Sequence, residues 1–443
     1  MTSTGNLSPG GSRKSLGVWL SVLFLVVSIF LLVRNQSDRS VPLQLQTTVP
    51  SAARVANSRR TEPSPRREYL VADLSANPSQ SPLIRVNITP GGTNEFEIEI
   101  RGSYSIRQIG TSRELNQGRS LKATVQSIPG GLKIGTRSFH ETSLEVSSDV
   151  HPGVRINDHL YRGRMRLFRR QDGLVSAVNV LPVEEYLASV VDSEMPASFP
   201  AAAREAQAIV ARTYALYQIE HAAPAAVYDL FSSQRSQRYL GIEYVAAGRR
   251  LAGESASSRR AVAATRGIVC TYQKKLFCTY YSAVCGGRTT TGSELFADAS
   301  PALQSVACEW CRDSEYYRWN AMLESASLLK AVQGKRAISR VASIRQIELP
   351  GNGKISQFEL TDGHQTVGIN GVELREQLPA GALRSPHFTL RTEKGGIRAD
   401  GRGHGHGVGF CQWGARGLGS GGMNSQDIVR YYYPDAKLEV RKY

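Results

Sequence analysis

The chain has 443 residues, 41% hydrophobic and 21% charged, enough for two or three ordinary domains with a sizeable core. Its 54 basic and 38 acidic residues leave a net charge of +16. Much of the excess sits in arginine pairs such as Arg59–Arg60, Arg169–Arg170 and Arg259–Arg260, which read as solvated surface; without a recognisable binding motif they argue against a nucleic-acid partner.

The first element in chain order is Leu16 to Val33, an apolar run broken only by Gly and Ser, preceded by Arg13 and Lys14 and followed by Arg34. It is near the lower limit for crossing a bilayer of about 30 Å, and no small-x-small cleavage site follows. The expectation is a cytoplasmic tail at 1–14, a single transmembrane signal anchor at 15–34 and a disordered linker at 35–81 rich in Ser, Pro, Thr, Gln and Arg. A cleaved signal peptide is the alternative. Either places the remainder in the cell envelope, outside the cytoplasm. The acidic partners there are anionic headgroups, anionic wall polymers and wall carboxylates.

From 82 to 173 the segments LIRVNI, EFEIEI, SYSIRQI and GLKIGT alternate or cluster apolar residues between turn signals, which predicts a β-rich region. A hairpin over Arg162 to Asn179, turning at Gln171-Asp172-Gly173, leads into residues 174–326. That core opens with Leu181 to Tyr217. Pro182 starts a helix in which Val183, Leu187, Val190 and Glu194 share one face, and Pro196 should stop it at about Glu194. The apolar stripe, the negative end of the helix and the absence of a nearby Lys or Arg in sequence all raise a carboxyl pKa there. A carboxyl kept protonated near neutral pH is a general acid. The same pattern also describes an αα-hairpin whose Glu194 caps a turn or pairs with an arginine.

The second helix, entered at Pro200, has an apolar stripe of Ala206, Ile209, Val210, Thr213 and Tyr217. Its other face, Arg204, Ala208, Ala211, Arg212 and Ala215, is small enough to admit another backbone or a substrate close to Arg212. Further on, GIVCTYQKKLFC predicts a hairpin turning near Lys274, with Cys270 and Cys278 facing each other as a disulfide pair. Cys285 with Cys308-x-x-Cys311 could form most of a zinc site, although an oxidising compartment favours disulfides. No other cofactor is expected. Residues 327–398 read as a mixed α/β insertion, and 399–443 as a closing Gly/His segment. Glycines at 401, 403, 405, 407 and 409 would share one side of an extended chain, with Arg402, His404 and His406 on the other. The architecture expected is α+β: a β-rich domain with a central catalytic helical pair and a mixed insertion, preceded by one transmembrane helix.

SEMPASFPAAAREAQAIVARTYAL at 193–216 resembles the signature of the stage II sporulation protein D family, which includes amidase enhancers, and GRGHGHGVGFCQWGARGL at 401–418 resembles its closing motif. QRYLG at 237–241, ATRG at 264–267 and YYSAVCGGRT at 280–289 are weaker matches in the same order. The resemblance implies a peptidoglycan lytic transglycosylase acting on glycan strands, with Glu194 as the acid. On that reading Arg212 and His406 position substrate or stabilise charge, Gln207 and Gln412 donate hydrogen bonds, and Trp413 stacks on a sugar. Gln237, Tyr239, Gly286 and Gly287 line the cleft. Many relatives carry Cys and His suited to zinc near 228–241, but YDLFSSQRSQRYLG has neither, so that metal site does not carry over. The other implied readings are a glycan-binding enhancer of a cell-wall amidase and a wall-anchoring module.

Overall fold

Alternation of apolar and polar residues in EFEIEI becomes a strand with every second residue buried, Glu95–Ile100. The computed structural model describes Leu70, Asn77 and the residues from 80 onward, except 112, 150–152, 334–337 and 348–354. Glu68–Val245 and Arg250–Tyr443 form one compact unit, and Ala246–Arg249 group apart from it.

Two sheets build the N-terminal half of the unit. In one, Leu230–Phe231, Leu83–Asn87, Val175–Pro182, Arg164–Arg169, Ser143–Ser148, Tyr104–Gln108 and Glu114–Gly118 lie side by side in that order. In the other, Glu95–Ile100 lies between Val154–Ile156 and Leu121–Ile128. Ile84, Val86 and Leu167 of the first sheet share a core with Phe96, Ile98 and Val125 of the second. The expected hairpin is present, with Arg164–Arg169 antiparallel to Val175–Pro182 and Gly173 at φ +81° in the turn. Seven successive residues of its second strand, Val175 to Leu181, are buried, and that strand runs straight into the first helix.

Helix α1 (Val183–Glu194) begins after Pro182 and ends where Met195 turns extended, at φ −130° and ψ 132° ahead of Pro196. Helix α2 (Ala201–His221) follows Pro200. It passes between two cores: Ala208, Ala211 and Ala215 belong to the sheet core, whereas Ala203, Ala206, Ile209 and Val210 belong to a second one with Phe410 and Tyr432. Its alanine face is therefore packed and not open as expected. Helix α3 (Ala256–Ala264) covers that face, and α4 (Gly292–Phe296) follows the CysGlyGly turn. A third core, from Trp319 to Ala399, joins six strands with α5 (Ser325–Val332) and α6 (Gly371–Gln377). Helices α7 (Gln412–Ser420) and α8 (Ser425–Tyr432) return the chain to the second core.

Three further expectations need correction. Among the described residues no helix is long and apolar enough to cross a membrane. Among the described residues the architecture is a mixed, β-rich α/β fold in place of the expected one with a transmembrane helix; the anchor at 15–34, the tail at 1–14 and most of the linker at 35–81 fall outside the described residues.

The Cys270–Cys278 pair does not form, and both thiols are free. The turn of that hairpin is the two residues Gln273 and Lys274, both at positive φ, which sets Thr271 opposite Leu276. Cys270 and Cys278 are then one place out of register and face different cores, because side chains alternate sides along a strand.

Nor is the Gly/His segment one extended strand. Only Gly396–Arg402 and Phe410–Cys411 are strands, and between them Gly403, Gly405, Gly407 and Gly409 all have φ between +68° and +96°. The chain there winds along Tyr280–Gly286. A side chain at Gly403 or Gly409 would run into the carbonyl of Val284 or Tyr280.

Candidate functional site

Glu194 owes its position to the apolar stripe of α1. Val183, Leu187 and Val190 are fully buried, so the last residue of the same face is carried to the edge of the core. It keeps some exposure there. The backbone N–H of Arg238 donates to its Oε1 at 2.8 Å, and Gln412 Nε2 donates to its Oε2 at 3.4 Å. The surrounding protein pushes the carboxyl above its usual range by desolvation; the Arg238 and Gln412 hydrogen bonds and the Arg238 charge oppose that shift without cancelling it. Two of the other carboxylates on this helix, Asp192 and Glu184, are held in ion pairs. Arg204 pairs with Asp192, which also accepts from Ser258 Oγ at 2.8 Å, and Arg212 binds Glu184.

Gln412 joins the two ends of the site. Its Nε2 also donates to Gln207 Oε1 at 3.4 Å, while Gln207 Nε2 is buried without a partner. The Tyr281 hydroxyl is a second buried group without a formed hydrogen bond, and it lies near enough to Glu194 and Gln237 to influence the Glu194 carboxyl. Unpaired buried polar groups are rare in folded proteins, and two beside one raised carboxyl mark a place built for something other than packing.

Tyr281 also lines a cavity of about 430 Å³ with Tyr214, Arg235, Tyr280, Phe296 and His406. His406 Nδ1 accepts from the Val408 N–H at 3.1 Å, and its ring meets the edges of Phe296 and Tyr280. Burial pushes its pKa down to about 4, so the ring is neutral at physiological pH. His404 is likewise held at about 4 by burial and by Arg384, with its ring against Tyr316. Trp413 is half-buried, edge-on to Phe199 at 5.5 Å and covered by the Arg416 guanidinium at 4.9 Å.

Residues 171–272 match the profile of the stage II sporulation protein family. Stage II sporulation protein D of Bacillus amyloliquefaciens is 31% identical over 58% of this chain and 74% of its own length. The chain belongs to the stage II sporulation protein D family. An uncharacterized protein of Brachyspira hyodysenteriae is 28% identical over 79% of this chain and 91% of its own length, and the amidase enhancer of Bacillus subtilis is 22% identical over 57% and 40%.

This family member brings Glu194, Gln207 and Gln412 into one hydrogen-bonded group, with His406 on the neighbouring cavity wall. Arg212 is elsewhere, which corrects its expected role. It is fully buried, its Nε and Nη2 bind Glu184 at 2.7 and 2.9 Å, and Val262 and Ile268 carbonyls accept its remaining protons, so it clamps α1, α2 and α3 together. Gln237 and Tyr239 stand behind the site instead of lining it. Gln237 accepts from the Tyr186 hydroxyl at 3.1 Å and donates to the Ala211 carbonyl at 3.2 Å, and Tyr239 donates to Asn179 at 2.8 Å. Gly286 and Gly287 occupy φ +74° and +113°, and a side chain at Gly286 would strike Arg402 and Gly403. They let the closing segment approach.

Sequence reasoning missed Tyr281 and the Arg238 backbone. Tyr281 stood inside the matched YYSAVCGGRT stretch, but only the parallel pairing of Tyr281 with Phe410 carries it to Glu194. A backbone N–H leaves no mark in a sequence.

Proposed function

We propose that this protein is a peptidoglycan lytic transglycosylase that cleaves the bond between N-acetylmuramic acid and N-acetylglucosamine in glycan strands, above all strands stripped of stem peptides. One observation carries the reading: Glu194, partly exposed at the end of α1, has its carboxyl pKa raised by desolvation, while Glu184 and Asp192 are tied up in ion pairs. Glu194 gives its proton to the bridging oxygen as the C1–O bond breaks. The C6 hydroxyl of the muramic acid then forms a bond to C1, and the Glu194 carboxylate takes the hydroxyl proton. Acid and base are thus one group, and the second carboxylate of a hydrolysing glycosidase is not needed.

Gln412 and the Arg238 N–H fix the carboxyl in place. The unpaired Gln207 amide and Tyr281 hydroxyl supply hydrogen bonds to sugar. Neutral His406, whose Nδ1 accepts from Val408, can donate only through Nε2–H at the cavity wall and adds no charge, and Trp413 offers an apolar face to a ring. The reaction takes place outside the cytoplasm, where the glycan lies.

The relative named amidase enhancer supports a second reading, a glycan-binding protein that stimulates a cell-wall amidase. The deciding experiment incubates the protein and Glu194→Gln with intact and amidase-stripped peptidoglycan and analyses soluble fragments by mass spectrometry. Anhydro-ended products from the unaltered protein alone are expected. Reducing ends would mean hydrolysis, and binding without products, together with amidase stimulation unaffected by Glu194→Gln, would favour the enhancer.

A further inference from the structure

Four cysteines from three separate stretches of the chain converge on one point. Cys285 follows the strand Tyr281–Ser282, Cys308 and Cys311 bracket a single helical turn, and Cys411 caps the N-terminus of α7. All four are at most 2% exposed, and their sulfurs lie within 4.8 Å of one another. Cys285 Sγ is 3.7 Å from Cys311 Sγ. Four thiolates around one zinc ion, with Zn–S bonds of about 2.3 Å, sit about 3.8 Å apart along the edges of the tetrahedron. Disulfides would require only pairwise approach, whereas here each sulfur is near all three others.

The surroundings suit thiolates. The N–H groups of Cys285 and Gly414 donate to Cys411 Sγ at 3.3 and 3.4 Å, and the Tyr432 hydroxyl is 3.2 Å from Cys308 Sγ. Donors of this kind orient sulfur ligands and offset their charge. The positive end of α7 points at the same cluster. A side chain at Gly414 would collide with Cys308 and Tyr432, so the helix has been allowed in close to the sulfurs.

We infer that Cys285, Cys308, Cys311 and Cys411 bind one structural zinc ion. No open ligand position remains with four protein thiolates, so the ion is a staple and not a catalyst. It joins the CysGlyGly turn to the start of α7 and thereby sets Gln412, the residue after Cys411, against Glu194. The inference does not depend on the reaction that Glu194 performs.

The test is metal analysis of the full chain purified without chelator. About one zinc per chain is expected, with the four thiols resistant to alkylation until a chelator is added in denaturant. Cys308→Ser should lose the zinc. If that variant does not fold, cobalt titrated into the reduced, demetallated protein should give the visible bands of a tetrahedral cobalt–thiolate centre. An intact mass lower by two hydrogens for each of two bridges mapped to these cysteines would overturn the inference. So would iron in place of zinc, or a reduced protein that takes up neither zinc nor cobalt.

Discussion

Gln412 Nε2 donates to Glu194 Oε2 across a separation of 218 residues, and the same nitrogen reaches Gln207 Oε1. The amide holds one carboxylate oxygen while the Arg238 N–H holds the other. Removing the acid should abolish chemistry, whereas removing the amide should only loosen it. Glu194→Gln is expected to lower product release by about 100- to 10,000-fold, and Gln412→Ala by about tenfold, the worth of one ordinary hydrogen bond. Both should fold, which circular dichroism would check. Equal activity in Glu194→Gln and the unaltered protein would remove Glu194 from the mechanism.

The raised Glu194 pKa predicts the pH profile. Only the protonated carboxyl can act as acid, so activity should fall as pH rises through that pKa. Stability follows the same sign. A carboxyl that holds its proton more tightly folded than unfolded loses its contribution as pH rises through the folded pKa. Glu194→Gln should therefore match the unaltered protein in acid and exceed it in stability at higher pH. Denaturant melts at two pH values would measure the difference.

Arg212 gives a prediction of the opposite kind. It is buried against Glu184, so Arg212→Ala strands a charge and should cost about 3–5 kcal/mol. The double change Glu184→Gln with Arg212→Met removes both charges and should recover most of that loss. Product release per folded molecule should stay near normal in the double variant. A large fall in that rate, with stability restored, would return Arg212 to the site.

Two histidines should make the protein acid-sensitive. His404 and His406 are both held at about 4, below the ordinary histidine value, by burial. A group that stays neutral when folded and takes a proton when unfolded removes stability as pH falls from about 6.5 toward 4. The loss should be on the order of 1–3 kcal/mol for each ring. Thermal melts between pH 7 and pH 4 should show it, and His406→Phe should flatten the slope.

Cys270 and Cys278 should be chemically silent. Desolvation pushes both thiols up to about 12, and they face separate cores. Neither should react with iodoacetamide at pH 8 in the native protein, and peptide mapping should find no bridge between them. Recovery of a Cys270–Cys278 peptide would contradict the strand register.

Local signals were enough for α1 and its acid. Period and proline placed Val183, Leu187, Val190 and Glu194 on one face and ended the helix before Pro196, because these effects act within a few residues. The Arg164–Pro182 hairpin, with its AspGly turn, was equally local. Three matters were left to tertiary structure. The alanine face of α2 read as open until two cores and α3 closed on it, since a helix periodicity cannot tell a groove from a packed interface. A one-residue difference in turn position separated Cys270 from Cys278, because alternation along a strand makes facing depend on exact register. The most distant effect is that of the closing segment. Glycines at positive φ fold it along Tyr280–Gly286, and only that path brings Gln412 to Glu194 and Cys411 to the other three thiols. Sequence determines such convergence only through the whole fold, because no local propensity links residues more than a hundred positions apart.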